Sequence, residues 1–305
     1  MRNAFVNALT DLAERNKDVF LLTGDLGFSF FETYQHKFPS RFINMGVAEQ
    51  NMIGVAAGLA LSGKIVFVYS IVPFLTMRCF EQIRLDLCCQ RTNVKLVGAG
   101  GGLTYGSAGV THLAMEDISI MRSLPGMCVI CPGDAREVDR AVRASLRHKG
   151  PVYIRLSEKV PSVHSSRVNF RIGKGITVIH GDDVNILVTG NMLMTAIDAA
   201  KKLKKDGVSA GIISMHTIKP LDVALIKSLA ARNKPMFTLE EHSVVGGLGS
   251  AVSEVLAELG SPVLLKRIGL PDAYPRIVGS QGYIRKELGL DVKGICSIIR
   301  KVISA

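Results

Sequence analysis

Short segments rich in β-branched and other apolar residues alternate along this chain with longer segments of helical character. In the first half, strand-like segments lie at residues 19–22, 66–68, 94–97, 129–131 and 152–154. Nearly continuous apolar strands separated by helical segments are typical of a parallel sheet with helices on both faces. The sequence therefore predicts an α/β fold that begins with a doubly wound domain.

A second α/β pattern follows a polar stretch without periodicity. Its predicted strands lie at 183–190, 209–214, 235–239 and 263–268, and a glycine-rich loop is predicted at 240–249. We predict a first, mainly parallel-sheet domain at residues 1–160, a linker at 161–174 and a smaller doubly wound domain at 175–305. The 305 residues, 48% of them hydrophobic, are enough for about two domains with buried cores.

Composition and the N-terminus exclude several classes of protein. The richest apolar run, residues 65–75, is shorter than the roughly 18 to 20 residues that span a bilayer. Phe5, Ala8, Leu9 and Leu12 predict an amphipathic helix, and no apolar core of a secretion signal precedes them. We therefore predict a cytoplasmic protein with no membrane partner.

The net charge of +11 is compatible with nucleic acid, an anionic cofactor or an acidic partner protein. The densest basic run, residues 201–205, falls on a predicted helix and is interpreted as a solvated face. No aromatic residues interleave with it, so we predict no nucleic-acid partner.

The six cysteines show no disulfide spacing. The pair Cys128-Val-Ile-Cys131 lies in a strand-like run and has no second pair with which to hold zinc. It is interpreted as part of the core.

A single carboxylate, Glu49, lies in the otherwise uncharged run Asn-Met-Gly-Val-Ala-Glu-Gln-Asn-Met at residues 44–52. A carboxylate in apolar surroundings is costly unless it is paired or protonated, and such sites are often functional. The alternative is an ordinary acid in the first turn of a helix, where the macrodipole favours it. Gly54 and Gly58 follow on the same predicted helix, either for packing within the domain or for a contact between subunits.

This wording resembles the pyrimidine-binding domain of thiamine-diphosphate enzymes of the transketolase group. Residues 215–222 and 240–249 extend the resemblance to the transketolase C-terminal domain. The resemblance implies that Glu49 hydrogen-bonds N1' of the aminopyrimidine of thiamine diphosphate. Sharing a proton there favours the tautomer whose N4' deprotonates the thiazolium ring.

The resemblance implies four further site residues. Phe74 matches an aromatic residue that stacks on the aminopyrimidine, and Ile71 stands where a second ring is often found. His112 matches a histidine that exchanges protons with the substrate, and Arg155 matches a contact to the substrate phosphate. From the residues alone, Phe74 could equally be core, His112 a satisfied structural histidine, and Arg155 the partner of a nearby acid.

The family's Gly-Asp-Gly and Asn-Asn motif for the diphosphate and its metal is not found in this sequence. The resemblance therefore implies a partner subunit that supplies the diphosphate and Mg²⁺ ligands, in an α2β2 assembly, and no metal ligands in this chain. The predicted enzyme transfers a two-carbon ketol unit from a ketose or ketose phosphate to an aldose.

Departures from the pattern keep other readings open. Ala108 replaces an acid, and glycines at 98–102 replace a histidine, that recognise donor hydroxyls in the family. The alternatives are the β subunit of a 2-oxoacid dehydrogenase, an enzyme like deoxyxylulose-phosphate synthase, and a non-catalytic regulatory or binding module.

Overall fold

The computed structural model describes residues 1–157, 160–165 and 168–304, and within them the chain forms two β-sheets. The strands up to residue 156 are β1 (Val19–Thr23), β2 (Phe42–Asn44), β3 (Ile65–Ile71), β4 (Val94–Ala99), β5 (Cys128–Ile130) and β6 (Val152–Leu156). The later strands are β7 (Ile176–Ile179), β8 (Val184–Val188), β9 (Ala210–Ser214), β10 (Thr217–Lys219), β11 (Met236–Ser243) and β12 (Leu265–Leu270).

Helices occupy most of the connections between these strands. Those of the first part are α1 (Arg2–Arg15), α2 (Glu32–Lys37), α3 (Glu49–Leu61), α4 (Val72–Thr76), α5 (Phe80–Gln82), α6 (Asp117–Ser123) and α7 (Ala135–Arg147). Those of the second part are α8 (Leu193–Lys205), α9 (Val223–Ala230), α10 (Leu248–Glu258), α11 (Gln281–Glu287) and α12 (Val292–Ile303). A π-helix spans Ile83–Cys89, and 3₁₀ turns span Pro39–Arg41, Gly106–Ala108, Val110–His112 and Gly190–Met192.

The first sheet has the strand order β10-β5-β6-β4-β3-β1-β2 and is parallel except for β10. Its central strands are buried because helices cover both faces. On one face, α1 inserts Phe5 and Leu9, and α7 inserts Val138, into a buried apolar cluster. The predicted amphipathic helix at the N-terminus is thereby confirmed.

The second sheet has the order β12-β11-β8-β9-β7, with β7 antiparallel. The two parts share structure, since β10 follows β9 in the chain but pairs with β5 of the first sheet. One buried apolar cluster also runs through both parts and includes Met121, Val129, Ile213 and Leu248. The cluster and the shared strand join the two domains in a continuous seam.

The predicted pair of doubly wound domains is confirmed, with differences of detail. Sequence patterns missed the antiparallel strands β7 and β10, because three- and four-residue segments carry little periodicity. The predicted loop at 240–249 was wrong for its first four residues, which continue β11 with buried side chains. The linker predicted at 161–174 stays a prediction, and its residues 166 and 167 lie outside the described part of the chain.

Other compositional predictions were tested by burial. Cys128 and Cys131 are buried, and burial raises the pKa of each thiol to about 12, which confirms their interpretation as core. The lysines of residues 201–205 are exposed, as expected of a solvated face. In the described part of the chain, no helix combines the length and apolar character needed to cross a membrane.

Candidate active site

Three of the predicted site residues follow the carboxyl ends of parallel strands of the first sheet. Glu49 lies beyond β2, Phe74 beyond β3 and His112 beyond β4. Ligands of open α/β sheets bind in the crevice outside this edge. The fold therefore brings residues that are up to 63 positions apart towards one edge, as the resemblance requires.

A polar turn fixes the position of Glu49. The Asn44 Oδ1 atom accepts hydrogen bonds from the backbone N–H groups of Asp25 and Gly46, at 2.9 and 3.1 Å. Gly46 has a φ of +70°, which a side chain would strain. Glu49 then begins α3, where the helix dipole favours a negative charge.

The Glu49 side chain is 2% exposed, and one of the groups that cover it is itself exposed to solvent. Its Oε2 atom accepts a hydrogen bond of 2.7 Å from Nη1 of Arg78, a side chain that is 45% exposed. Within the described residues, this is the one side chain that donates to the carboxylate. Burial and the Glu49 charge raise the pKa of the neighbouring Cys79 to about 12, so this thiol stays protonated.

Phe74 lies between two other side chains of the site. The Arg78 Cζ atom is 4.6 Å from the centroid of its ring. The His112 ring meets Phe74 edge to face, with centroids 5.2 Å apart. Gly109, at φ +72°, turns the chain into the 3₁₀ turn that carries His112, whose Nδ1 atom lies 2.9 Å from Thr111 Oγ1. Glu49, Arg78, Phe74 and His112 thus form a connected group, which we call the acid corner.

Ile71 is half-buried at the end of β3 and lines a cavity of about 230 Å³. Arg2 and Tyr105 line the same cavity, and Arg2 Nη2 donates to the Tyr105 hydroxyl at 2.8 Å. The Tyr105 ring in turn lies 6.3 Å from that of His112. No carboxylate forms an ion pair with Arg2 in the residues that the structure describes.

Arg155, which is predicted to contact a substrate phosphate, is enclosed by protein groups in the structure. Arg155 is 2% exposed, and its Nε and Nη2 atoms donate to both carboxylate oxygens of Asp117, at 2.8 and 3.1 Å. Nη2 also donates to the carbonyl oxygens of Ala114 and Glu241, at 2.8 and 3.0 Å. The guanidinium faces the domain seam and pairs with Asp117, as the alternative of a strand-end Arg paired with a nearby acid predicts, and the phosphate contact stays a prediction.

Other ionisable groups of the seam are equally enclosed. Glu241 accepts hydrogen bonds from Leu103 N, Asn191 Nδ2 and Gln281 Nε2 at 2.7 to 3.0 Å, and it pairs with Arg285. Burial raises the pKa of Glu240 to about 7, against the backbone N–H groups that bind it, and burial lowers the pKa of His242 to about 4. The seam therefore uses its polar groups to hold the domains together.

The site differs from the predicted one by two residues that sequence reasoning missed. Arg78 lies four positions after Phe74, in a segment read only for its aromatic residue. Arg2 lies on a helix read only for its apolar face. In both cases the sequence shows only a basic residue near a segment of the site. Such residues are too common to be identified as functional without coordinates.

Family models match the two parts of the chain separately. Residues 1–161 match the transketolase pyrimidine-binding domain, and residues 173–295 match the transketolase C-terminal domain. The chain belongs to the transketolase family. This confirms the predicted family and a transferase subunit of transketolase type.

Relatives of similar length carry the same pair of domains. A putative transketolase C-terminal section of Methanocaldococcus jannaschii is 40% identical over 98% of this chain and 95% of its own. A subunit of 6-deoxy-6-sulfo-D-fructose transketolase from Clostridium sp. is 39% identical over 99% and 94%. A solved split-gene transketolase, described as an inactive β4 tetramer, superimposes with a TM-score of 0.92 at 37% identity, covering 99% of this chain and 98% of that one.

Proposed function

We propose that this chain is the pyrimidine-binding subunit of a thiamine-diphosphate-dependent enzyme. The enzyme transfers a two-carbon ketol unit from a ketose phosphate to an aldose. The observation that carries the proposal is the acid corner, where a buried carboxylate and an aromatic ring contact the same planar group. The planar group is the Arg78 guanidinium, which donates to Glu49 and lies over the Phe74 ring.

The acid corner fits the proposed cofactor because Arg78 acts as a stand-in for it. A guanidinium is planar and donates N–H bonds, as a protonated aminopyrimidine does. Arg78 donates to Glu49 at 2.7 Å and lies 4.6 Å from the Phe74 ring centroid. Glu49 and Phe74 can therefore hold a ring that donates a proton at one edge and offers an aromatic face.

When bound, thiamine diphosphate would supply the chemistry that breaks and forms carbon–carbon bonds beside a carbonyl group. Glu49 would hold a proton at N1' of the pyrimidine, and its burial in the first turn of α3 would keep water from competing for that proton. Phe74 orients the ring by packing on it. His112, half-buried beside Phe74, moves protons to and from the substrate oxygens.

Arg2 takes the role that the sequence assigned to Arg155. It offers a guanidinium in a cavity shared with Ile71, a predicted cofactor contact. A guanidinium binds a phosphate through charge-assisted hydrogen bonds. Tyr105, bonded to Arg2 at 2.8 Å, links this cation to the ring of His112. We assign Arg2 to the anionic end of the substrate.

A partner subunit completes the proposed site. It would carry the diphosphate and Mg²⁺ ligands, for which the described residues of this chain offer no cluster of three or more His, Cys, Asp or Glu. Large apolar side chains beside the site residues are exposed, namely Phe28, Val47, Met77 and Val110. Exposed apolar groups around a polar site are typical of an interface. Relatives are named as a section or subunit of a transketolase, which also supports a partner.

The α2β2 arrangement is part of the same proposal. Gly54 and Gly58 of α3 face open space, because a Cβ added at either would meet no atom within 4 Å. Packing within the domain therefore does not explain these glycines. A close contact with another subunit does.

The proposal is tested by hydrogen–deuterium exchange at C2 of the thiazolium ring. The chain is mixed with the partner subunit, thiamine diphosphate and Mg²⁺. Glu49→Gln is expected to slow the exchange by about 10² to 10⁴-fold, the range of general acid–base catalysis. Glu81→Gln, which changes an exposed acid on α5, is the control and should exchange at the wild-type rate.

Three results would contradict the proposal. Undiminished exchange in Glu49→Gln would remove the role of the acid. Release of CO₂ from a 2-oxo acid by the reconstituted pair would indicate a dehydrogenase or synthase. Full activity of the chain without the partner would refute the shared site.

A further inference from the structure

One exposed side chain makes both contacts that the proposed function assigns to the pyrimidine ring. Arg78 donates to the buried oxygen of Glu49 at 2.7 Å and covers the Phe74 ring at 4.6 Å. A ring in contact with Glu49 and Phe74 would therefore overlap the guanidinium. The cofactor and the Arg78 side chain compete for one place.

The backbone of Arg78 is anchored while its side chain is not enclosed. The Gln50 Nε2 atom donates to the Arg78 carbonyl oxygen at 3.0 Å, and Arg78 N donates to Pro73 O at 3.4 Å. The residue lies in the turn between α4 and α5. Its side chain is 45% exposed, so rotation about its side-chain bonds can carry the guanidinium into solvent without moving the helices.

We propose that Arg78 is a displaceable plug of the pyrimidine site. Without cofactor it neutralises Glu49 and covers Phe74, so that the isolated chain does not carry an unpaired buried carboxylate. When the cofactor binds, the aminopyrimidine replaces the guanidinium at both contacts. This inference rests on the proposed function, and it adds that the empty site is closed by the chain itself.

The plug predicts a direction for the cofactor affinity. When the competent state is only partly populated, the apparent dissociation constant equals the intrinsic one divided by the competent fraction. An ion pair with one exposed partner stabilises the closed state modestly. Removing the guanidinium is therefore expected to lower the apparent Kd of thiamine diphosphate by about fivefold.

The test measures cofactor binding by calorimetry in the reconstituted pair with Mg²⁺. Arg78→Met is expected to bind about fivefold more tightly than the wild type. Arg84→Met is the matched control, because it removes an exposed arginine that pairs with Glu81 away from the corner. Unchanged or weaker binding by Arg78→Met would overturn the plug. If Arg78→Met does not fold, Arg78→Gln serves, with the same direction expected.

A second measurement needs neither cofactor nor partner. The midpoints of thermal unfolding of the full chain are compared for wild type, Glu49→Gln, Arg78→Met and the double variant. Arg78→Met is expected to lower the midpoint by about 2 °C, and Glu49→Gln to restore most of that loss.

The two measurements separate the two proposals. Additive changes in the four midpoints would mean that the Glu49–Arg78 pair does not form, which overturns the plug and leaves the proposed function standing. Absence of cofactor binding by the wild-type pair would overturn both.

Discussion

The acid corner and the domain seam both contain a buried carboxylate paired with an arginine, but only one pair is open. In the seam, Arg155 and Asp117 are 2% and 0% exposed, and two carbonyl groups accept further hydrogen bonds from Nη2 of Arg155. In the corner, Glu49 is 2% exposed but Arg78 is 45% exposed. A closed pair can only hold structure, whereas an open pair can exchange its exposed partner for a ligand.

The surroundings of Arg155 show how this difference arises. The strand places Arg155 beside the site edge, but Gly101 leaves room above it, and a Cβ there would lie 2.8 Å from the Arg155 Nε atom. The guanidinium turns into the seam and binds Asp117. Availability of a charge depends on the surrounding groups, and the position along a strand does not fix it.

The largest expected effect is that of Arg155→Met on stability. The variant leaves Asp117 as a buried carboxylate without its main partner, so the free energy of unfolding should fall by about 3–5 kcal/mol. Urea denaturation measures it. The exposed pair removed by Arg84→Met should cost less than about 1 kcal/mol. Near-wild-type stability of Arg155→Met, together with a raised KM for a phosphorylated donor, would indicate that Arg155 binds the substrate phosphate.

Arg2→Met is expected to have the next largest effect, on substrate binding. Hydrogen bonds to charged groups contribute about 1.5–3 kcal/mol, so kcat/KM for a phosphorylated donor should fall at least tenfold. An unphosphorylated donor should be used at an unchanged rate. Arg15→Met, at the exposed far end of α1, is the matched control. Equal losses with both donors would mean that Arg2 does not bind the phosphate.

Much of the fold was predictable because periodicity reports on burial. The strands β1, β3, β4 and β6 are mostly apolar, and each was found from the sequence. The strand β10 was not, because its three residues pair with a strand almost 90 positions earlier. Such a pairing depends on the docking of two domains, which no local pattern encodes.

Site residues were predictable where a sequence motif follows the end of a strand. They were not predictable where a long side chain can bind several alternative partners. Glu49, Phe74 and His112 follow strand ends that meet at one edge, so topology alone brings them together. The direction of Arg155, and the contacts of Arg2 and Arg78, depend on long side chains with several accessible rotamers. Tertiary packing selects one of these rotamers, and the residues adjacent in sequence do not determine that packing.

Phe74→Leu tests the ring of the acid corner at a smaller scale. Aromatic contacts contribute about 0.5–1.5 kcal/mol beyond burial, so the Kd of thiamine diphosphate should rise about two- to tenfold. Phe38→Leu is a matched control, because Phe38 lies 4.2 Å from the guanidinium carbon of Arg41, away from the corner. A similar rise in both variants would show that the effect is not one of stacking.

The smallest expected effect concerns the pH dependence of a closed contact in the seam. His164 Nε2 lies 2.8 Å from Glu137 Oε1, and Ser214 Oγ, from β9, donates to the same oxygen at 2.7 Å. Burial opposes the imidazolium, but the hydrogen bond and charge of Glu137, helped by Asp134, hold the pKa of His164 above its ordinary value. Protonated His164 therefore joins the predicted linker to both domains.

The sign follows from the raised pKa of His164. A raised pKa in the folded state gives stabilisation that is complete below the ordinary value of about 6.5 and is lost as pH rises through the folded value. The difference in unfolding free energy between wild type and His164→Asn should be about 1 kcal/mol at pH 6 and should shrink towards pH 9. The neighbouring His216, whose pKa burial lowers, is present in both proteins and largely cancels. His180→Asn, which removes an exposed histidine, is the matched control. A difference that grows with pH would mean that neutral His164 makes the contact, and the seam would then be held by dipoles and not by charge.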